Sequence, residues 1–217
     1  FLCTPLGSYQ EILGRIRAEL NPGTIISDVG STKEEVMKLF QDLPSGVWAI
    51  GGHPMAGSEL KGLAGADRYL FENAVYCLTP SPQIPGPVLE SFMKLLAVTG
   101  ARIRIMEAGL HDELVAAVSH TPHLAAVALV NLTRGRKDCL MLAAGGFRDT
   151  TRIASSHPEI WNDILCFNRH HILKQLDGLI ANLQDLKQAL ADSNFQHLNQ
   201  ELWQAKQIRD QIPRVHR

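Results

Sequence analysis

The chain has 217 residues, of which 45% are hydrophobic and 20% charged. That is an ordinary globular composition and excludes a disordered, collagen-like or disulfide-knotted protein. Lys+Arg 21 against Asp+Glu 22 leaves a net charge of -1, with no basic surplus to recruit nucleic acid or anionic lipid. The length suits one large domain or two modest ones, each able to bury a core. Cys3, Cys77, Cys139 and Cys166 lie far apart with no paired spacing. They read as buried thiols of a reducing, cytoplasmic compartment rather than a disulfide frame or zinc knuckle.

Glycine and proline divide the chain. Of the 17 Gly, 12 fall within residues 1–100, as do 8 of the 11 Pro, so strands and helices are expected to alternate closely there. Phe1-Leu2-Cys3-Thr4-Pro5 reads as a short buried strand ending in a turn. With neither an initiator Met nor a signal peptide, it suggests the middle of a fold and hence a fragment truncated at its N-terminus. Further strands are predicted over 24–29, over 47–50 with a stop at Gly51-Gly52, over 74–78 and over 101–105. Helices are predicted over 8–20, 33–43 and 87–98. The alternation implies crossover units and a largely parallel sheet.

After Met106 only helical spacing remains, over 114–132, 138–144, 160–190 and 195–208. The apolar stretch from Leu114 to Leu132 is broken by Ser119, His120, Thr121, Pro122, His123 and Asn131, so it reads as a buried core helix rather than a membrane span. Leu173, Leu176, Leu179, Leu183, Leu186 and Leu190 keep one apolar stripe over several turns, which needs a partner surface such as a second copy of the chain. The expected fold is α/β then all-α: residues 1–106 as part of a dinucleotide-binding domain, and 107–217 as a helical domain for substrate binding and dimerisation.

Four segments have the residue types that chemistry needs. Asp28-Val29-Gly30-Ser31-Thr32-Lys33-Glu34 runs from a strand's carboxyl end into a helix, where ligands collect in open α/β sheets. Ser31 followed by Glu34 reads equally as a capping box. Gly51-Gly52-His53-Pro54-Met55-Ala56-Gly57-Ser58-Glu59 places a histidine at another strand end, either as a turn residue or as a proton acceptor for a substrate hydroxyl. Ser119-His120-Thr121-Pro122-His123 sets two histidines three apart on one helix face, with Pro122 bending the helix. They suit core packing, contacts to a polar substrate or, least well, a metal, because no His-Glu-x-x-His pattern accompanies them. Gly145-Gly146-Phe147-Arg148-Asp149-Thr150-Thr151-Arg152 spaces two arginines four apart, either as solvated charges or as forks for two carboxylates. The chain contains no Gly-x-Gly-x-x-Gly, so any dinucleotide phosphate loop would lie before Phe1.

Together with the Leu-Cys-Thr-Pro start, these segments resemble the prephenate/arogenate dehydrogenase family of tyrosine biosynthesis, in order and spacing and over nearly the whole chain. The resemblance implies a Rossmann-like parallel sheet, a helical domain that forms a homodimer, and NAD(P)-dependent oxidative decarboxylation of prephenate or arogenate. By that likeness His53 is the catalytic acceptor of the substrate's hydroxyl proton, and Ser31 orients it and faces the nicotinamide. Arg152 binds the ring carboxylate, and Arg148, Glu59 and Asp149 form an ionic gate, either within the chain or supplied by the partner subunit. His123 lies by the pyruvyl side chain and leans the substrate toward prephenate. Ser58, Gly145 and Trp161 line the pocket, while Thr4 and Pro5 touch the dinucleotide. The choice between NAD and NADP stays open, and no regulatory ACT segment is seen. The competing readings are a dimerising fragment that cannot hold cofactor and a metal-dependent hydrolase using His53, His120 and His123.

Overall fold

A computed structural model of the chain describes residues 1–57 and 65–212. It divides into two compact units, 1–172 and 173–217.

In the first unit, β1 (Ile25–Ser27), β2 (Trp48–Pro54), β3 (Val75–Pro80) and β4 (Arg102–Ile105) form a four-stranded sheet in that order. β1 and β2 run parallel, with Ile26 opposite Ala49, and helix α2 (Glu34–Leu39) makes the crossover between them. Leu2 extends the sheet beyond β1 through a single parallel bridge to Asp28, so the expected opening strand is reduced to one residue pair. The largely parallel sheet is corrected in one place: β3 pairs with β2 antiparallel, His53 facing Cys77, and β4 then pairs with β3 in parallel. A parallel return needs a long crossover, usually helical, and the described parts of the 55–74 connection contain mainly turns.

β2 also runs past the predicted stop at Gly51-Gly52 and carries His53 inside the strand. Close packing explains both glycines better than turn formation. A Cβ on Gly52 would stand 2.5 Å from the Asp28 carbonyl oxygen and 3.0 Å from the Tyr76 ring.

Two apolar clusters flank the sheet. Leu6, Tyr9, Leu13, Val36 and Phe40 form one with α1 (Tyr9–Ile16) and α2; Ile50, Leu78, Phe92 and Leu96 form the other with α3 (Gly86–Ala97). The remaining helices of the unit begin with α4 (Ala108–Val115), which passes through a π-helical turn at Ala116–His120 into α5 (Thr121–Asn131). The wide turn immediately precedes Pro122, whose missing N–H disturbs the regular ladder, as such insertions do at helix kinks.

By length and composition, Ala108–Asn131 is apolar enough to cross a membrane, and 33% of its most apolar window is buried. The core-helix expectation is therefore met on one face only. His111, Asp112, Val115, Ala116, His120 and His123 are buried, while Leu110, Leu114, Val118, Leu129 and Leu132 are exposed. Three further helices follow, α6 (Lys137–Met141), α7 (Gly145–Thr151) and α8 (Pro158–Phe167), and α9 then covers Arg169–Ala191. The predicted helix over 160–190 is thus two helices.

In the second unit, the later part of α9 and α10 (Phe195–Asp210) are tied by His197 Nε2 and Asp185 at 2.7 Å. Leu183, Leu190, Leu202 and Trp203 remain exposed. All four cysteines are free. Cys77 is buried as expected, but Cys3 and Cys166 are exposed.

Candidate active site

The carboxyl ends of β1 and β2 are locked together by one buried carboxylate. Asp28 accepts hydrogen bonds from the backbone N–H of Gly30 at 2.8 Å and of Gly52 at 2.9 Å, and it pairs with the Lys33 ammonium. Lys33 Nζ also donates to the Gly52 carbonyl at 2.6 Å. Burial alone would lower the Lys33 pKa strongly, and Asp28 opposes that shift. The lock fixes Gly52, and with it the next residue, His53.

The expected capping box is absent. Ser31 makes no cap for α2. Instead the Asp112 carboxylate on α4 accepts from the backbone N–H of Lys33 at 2.7 Å and of Glu34 at 2.9 Å. Ser31 is left free to line the wall of two adjoining cavities. The first, about 610 Å³, is walled by Phe1, Cys3, Val29, Pro54, Phe71 and Tyr76 beside Ser31 and His53. The second, about 530 Å³, is walled by His120, Arg152, Ile160 and Trp161, again with Ser31 and His53. The imidazole of residue 53 and the guanidinium of residue 152, 99 positions apart in the chain (152 − 53), therefore open onto one cavity.

His53 is buried, and its pKa lies well below the usual 6.5, first because burial penalises the cation and then because His111, Lys33 and His120 add positive potential. It stays neutral and so keeps a lone pair. Its Nδ1 lies 2.9 Å from His111 Nε2, and no hydrogen bond joins it to Ser31. The described contact of the His53 ring is therefore with His111 and not with Ser31.

His120 is also buried, its pKa pushed down to about 4 mainly by desolvation. Asn168 Nδ2 donates to the Asp112 carbonyl at 2.8 Å and faces His120 Nδ1 at 3.1 Å. With Nδ1 of His120 accepting, the proton of its neutral ring sits on Nε2 as a donor.

Several expectations shift. His123 does not line the cavity; it lies behind Trp161, stacked at 3.5 Å with 7° between the planes. Arg148, Asp149 and Gly145 are exposed and line neither cavity, so in one chain only Arg152 of the two arginines reaches the site. The reason is local: α7 ends at Thr151, and Arg152 opens a tighter turn, Arg152–Ser155. Ser58 and Glu59 fall outside the described residues. Thr4 and Pro5 are exposed beside the first cavity's Cys3, with Thr4 Oγ1 accepting from Ser8 Oγ at 2.8 Å. Trp161 lines the second cavity as expected.

Among the described residues no cluster of three His, Cys, Asp or Glu side chains could hold a metal ion. His111, Asp112, Asn168 and Lys33 were not legible as site residues, and of these Lys33 alone sat inside a motif.

Two domain models of one family match almost the whole chain: the prephenate dehydrogenase nucleotide-binding domain over residues 1–105 and the prephenate dehydrogenase dimerization domain over 107–204. The chain belongs to the prephenate dehydrogenase family. It is 40% identical over 194 residues to the prephenate dehydrogenase of Bacillus subtilis, which covers 87% of this chain and 52% of that protein. The chain thus spans about half the length of that relative. Among solved structures, the arogenate dehydrogenase of Synechocystis is 32% identical with a TM-score of 0.85, covering 98% of this chain and 78% of its own. Prephenate dehydrogenase of A. aeolicus, solved with hydroxyphenyl propionate and NAD+, is 30% identical with a TM-score of 0.88, covering 98% of this chain and 75% of its own. The sheet and its helices are accordingly Rossmann-like, and the family's mostly helical region follows.

Proposed function

We propose that the protein is an NAD(P)-dependent, cytoplasmic prephenate dehydrogenase, acting as a homodimer in tyrosine biosynthesis, with residues 1–106 on the cofactor side and 107–217 as the helical domain. The single observation that carries the reading is the sharing of one cavity by His53 and Arg152.

Prephenate carries a ring carboxylate at one end and a hydroxyl at C4 at the other. Arg152 holds the carboxylate by a charge-assisted pair. His53 receives the C4 hydroxyl proton as the C4–H hydride leaves and a ketone forms. The bond from the ring to its carboxylate then breaks, CO2 departs, and its electron pair makes the ring aromatic. The resulting phenolate oxygen takes a proton, giving 4-hydroxyphenylpyruvate. His120 offers an N–H to a substrate oxygen in the same cavity, and Ile160 and Trp161 give the ring an apolar wall.

The apolar first cavity, adjoining the second at Ser31 and His53, fits the flat nicotinamide end of NAD or NADP. The bound, oxidised nicotinamide supplies the hydride acceptor. Ser31 and the Thr4-Pro5 turn hold that end. Arogenate is the second reading, favoured by the likeness to the Synechocystis arogenate dehydrogenase. It gains weight because His123, the residue that leaned toward prephenate, lies behind Trp161.

The gate of Arg148, Glu59 and Asp149 belongs to this proposal as a contribution from the partner subunit, since Arg148 and Asp149 do not reach the cavity of their own chain. A coupled assay of the intact protein, crossing prephenate and arogenate with NAD and NADP, tests the assignment. The result expected is turnover with prephenate; turnover with neither acid refutes it.

A further inference from the structure

His111 and Asp112 take no part in the reading above, yet both are completely buried, side by side on α4, directly behind His53. Buried polar groups in such a position are held for their hydrogen bonds, since each would be costly left unpaired. Their bonds form a directional chain. Asp112 Oδ1 lies 2.7 Å from His111 Nδ1, and His111 Nε2 lies 2.9 Å from His53 Nδ1. The far end is anchored: the same carboxylate receives the backbone N–H of Lys33 and of Glu34, so it cannot swing away without uncapping α2.

Proton bookkeeping along this chain leaves one arrangement for neutral rings. A carboxylate only accepts, so His111 carries its hydrogen on Nδ1. A neutral imidazole has one N–H, so His111 Nε2 is a lone pair and must accept. The hydrogen of the His53 contact therefore belongs to His53 Nδ1. His53 Nε2 is then bare, and it is the nitrogen left to meet a hydroxyl in the cavity. The reverse assignment needs hydrogens on both His111 nitrogens at once. It would also put a hydrogen on His53 Nε2, where it would block proton acceptance.

We propose that His111, backed by Asp112, is a positioning residue that fixes His53 in the Nδ1–H tautomer and so presents the Nε2 lone pair to the substrate hydroxyl. This rests on the reading of His53 as the proton acceptor. The logic is that of a base whose second nitrogen is held by a buried carboxylate, here with one more imidazole between them. Burial also strengthens the two bonds, because the three nitrogens that make them lie in a low-dielectric interior.

The test has a part that needs no variant. Long-range proton–nitrogen NMR of the wild-type His53 ring should show hydrogen on Nδ1 and a bare Nε2; hydrogen on Nε2 would overturn the proposal. In kinetics of the intact protein, His111→Phe keeps the ring's bulk and removes the acceptor. We expect kcat to fall on the order of 100-fold with KM changed by less than about threefold. His111→Gln, whose amide oxygen can accept from His53 Nδ1, should recover most of that loss. A His111→Phe protein with kcat within about twofold of wild type would refute the positioning role. His53→Asn, measured alongside, separates the two ideas. If His53→Asn is impaired while His111→Phe is not, only the positioning role fails; if His53→Asn turns over normally, the acceptor reading itself falls.

Discussion

The Lys33 ammonium and the Asp28 carboxylate form an ion pair with both side chains 0% exposed. The two groups were taken out of water together, and Gly30, Gly52 and the Gly52 carbonyl complete their hydrogen bonds. Removing one partner leaves the other as an uncompensated buried charge. Lys33→Met should therefore cost about 3–5 kcal/mol of stability, measured by urea unfolding, and free the end of β2. A loss below about 1 kcal/mol would show that the pair is not what joins the strands.

Gly52 has room for no side chain, because Asp28 and Tyr76 crowd the place of a Cβ. Gly52→Ala should destabilise by about 1–3 kcal/mol and shift the adjacent His53. Gly57, where a Cβ would meet nothing within 4 Å, should accept alanine with little change in melting temperature.

His120 provides the pH dependence. Its folded pKa of about 4 lies below the 6.5 of the unfolded ring, so the unfolded chain binds the proton more readily. Its contribution to stability is complete above pH 6.5 and declines as pH falls toward 4, by about 3 kcal/mol in all. His120→Gln should show a shallower decline over that window in denaturant titrations at several pH values. An identical slope would mean that the His120 proton is not excluded by folding.

The division between what could be read in the chain and what could not follows the range of the interactions. Strands and helices of the first hundred residues rest on local spacing and turn residues, and they stand close to their predicted bounds. β2 outran its predicted end because Gly51 and Gly52 serve a crowded approach to Asp28 and Lys33 rather than a turn, a fact that lives in tertiary packing. The antiparallel entry of β3 depends on the connection after Gly57, which has no local signature of direction.

The same holds for the site. His53, Ser31 and Arg152 are legible because they lie in recognisable motifs, and they open onto one cavity. His111 and Asp112 are two ordinary polar residues in a helix, and their role arises only when α4 folds behind a strand that precedes it by 58 residues. Arg148 looked equivalent to Arg152 on spacing alone, but the helix ends between them and the two side chains part.

The proposed homodimer would cover apolar surface that a single chain leaves exposed, including Leu183 and Leu190 on α9. Sedimentation equilibrium should give the mass of two chains, and Leu183→Asp with Leu190→Asp should shift it toward one. A monomeric wild-type protein would remove the homodimer and, with it, the partner's gate.

The most direct test of the account is the substrate dependence of Arg152→Ala in the intact protein. Arg152 is assigned to the ring carboxylate, which prephenate carries and 4-hydroxyphenylpyruvate lacks. The KM for prephenate should rise about 10- to 100-fold, with kcat reduced less, while the inhibition constant of 4-hydroxyphenylpyruvate changes by less than about threefold. An unchanged KM for prephenate, or an equal loss of affinity for both acids, would contradict the placement of the substrate between His53 and Arg152.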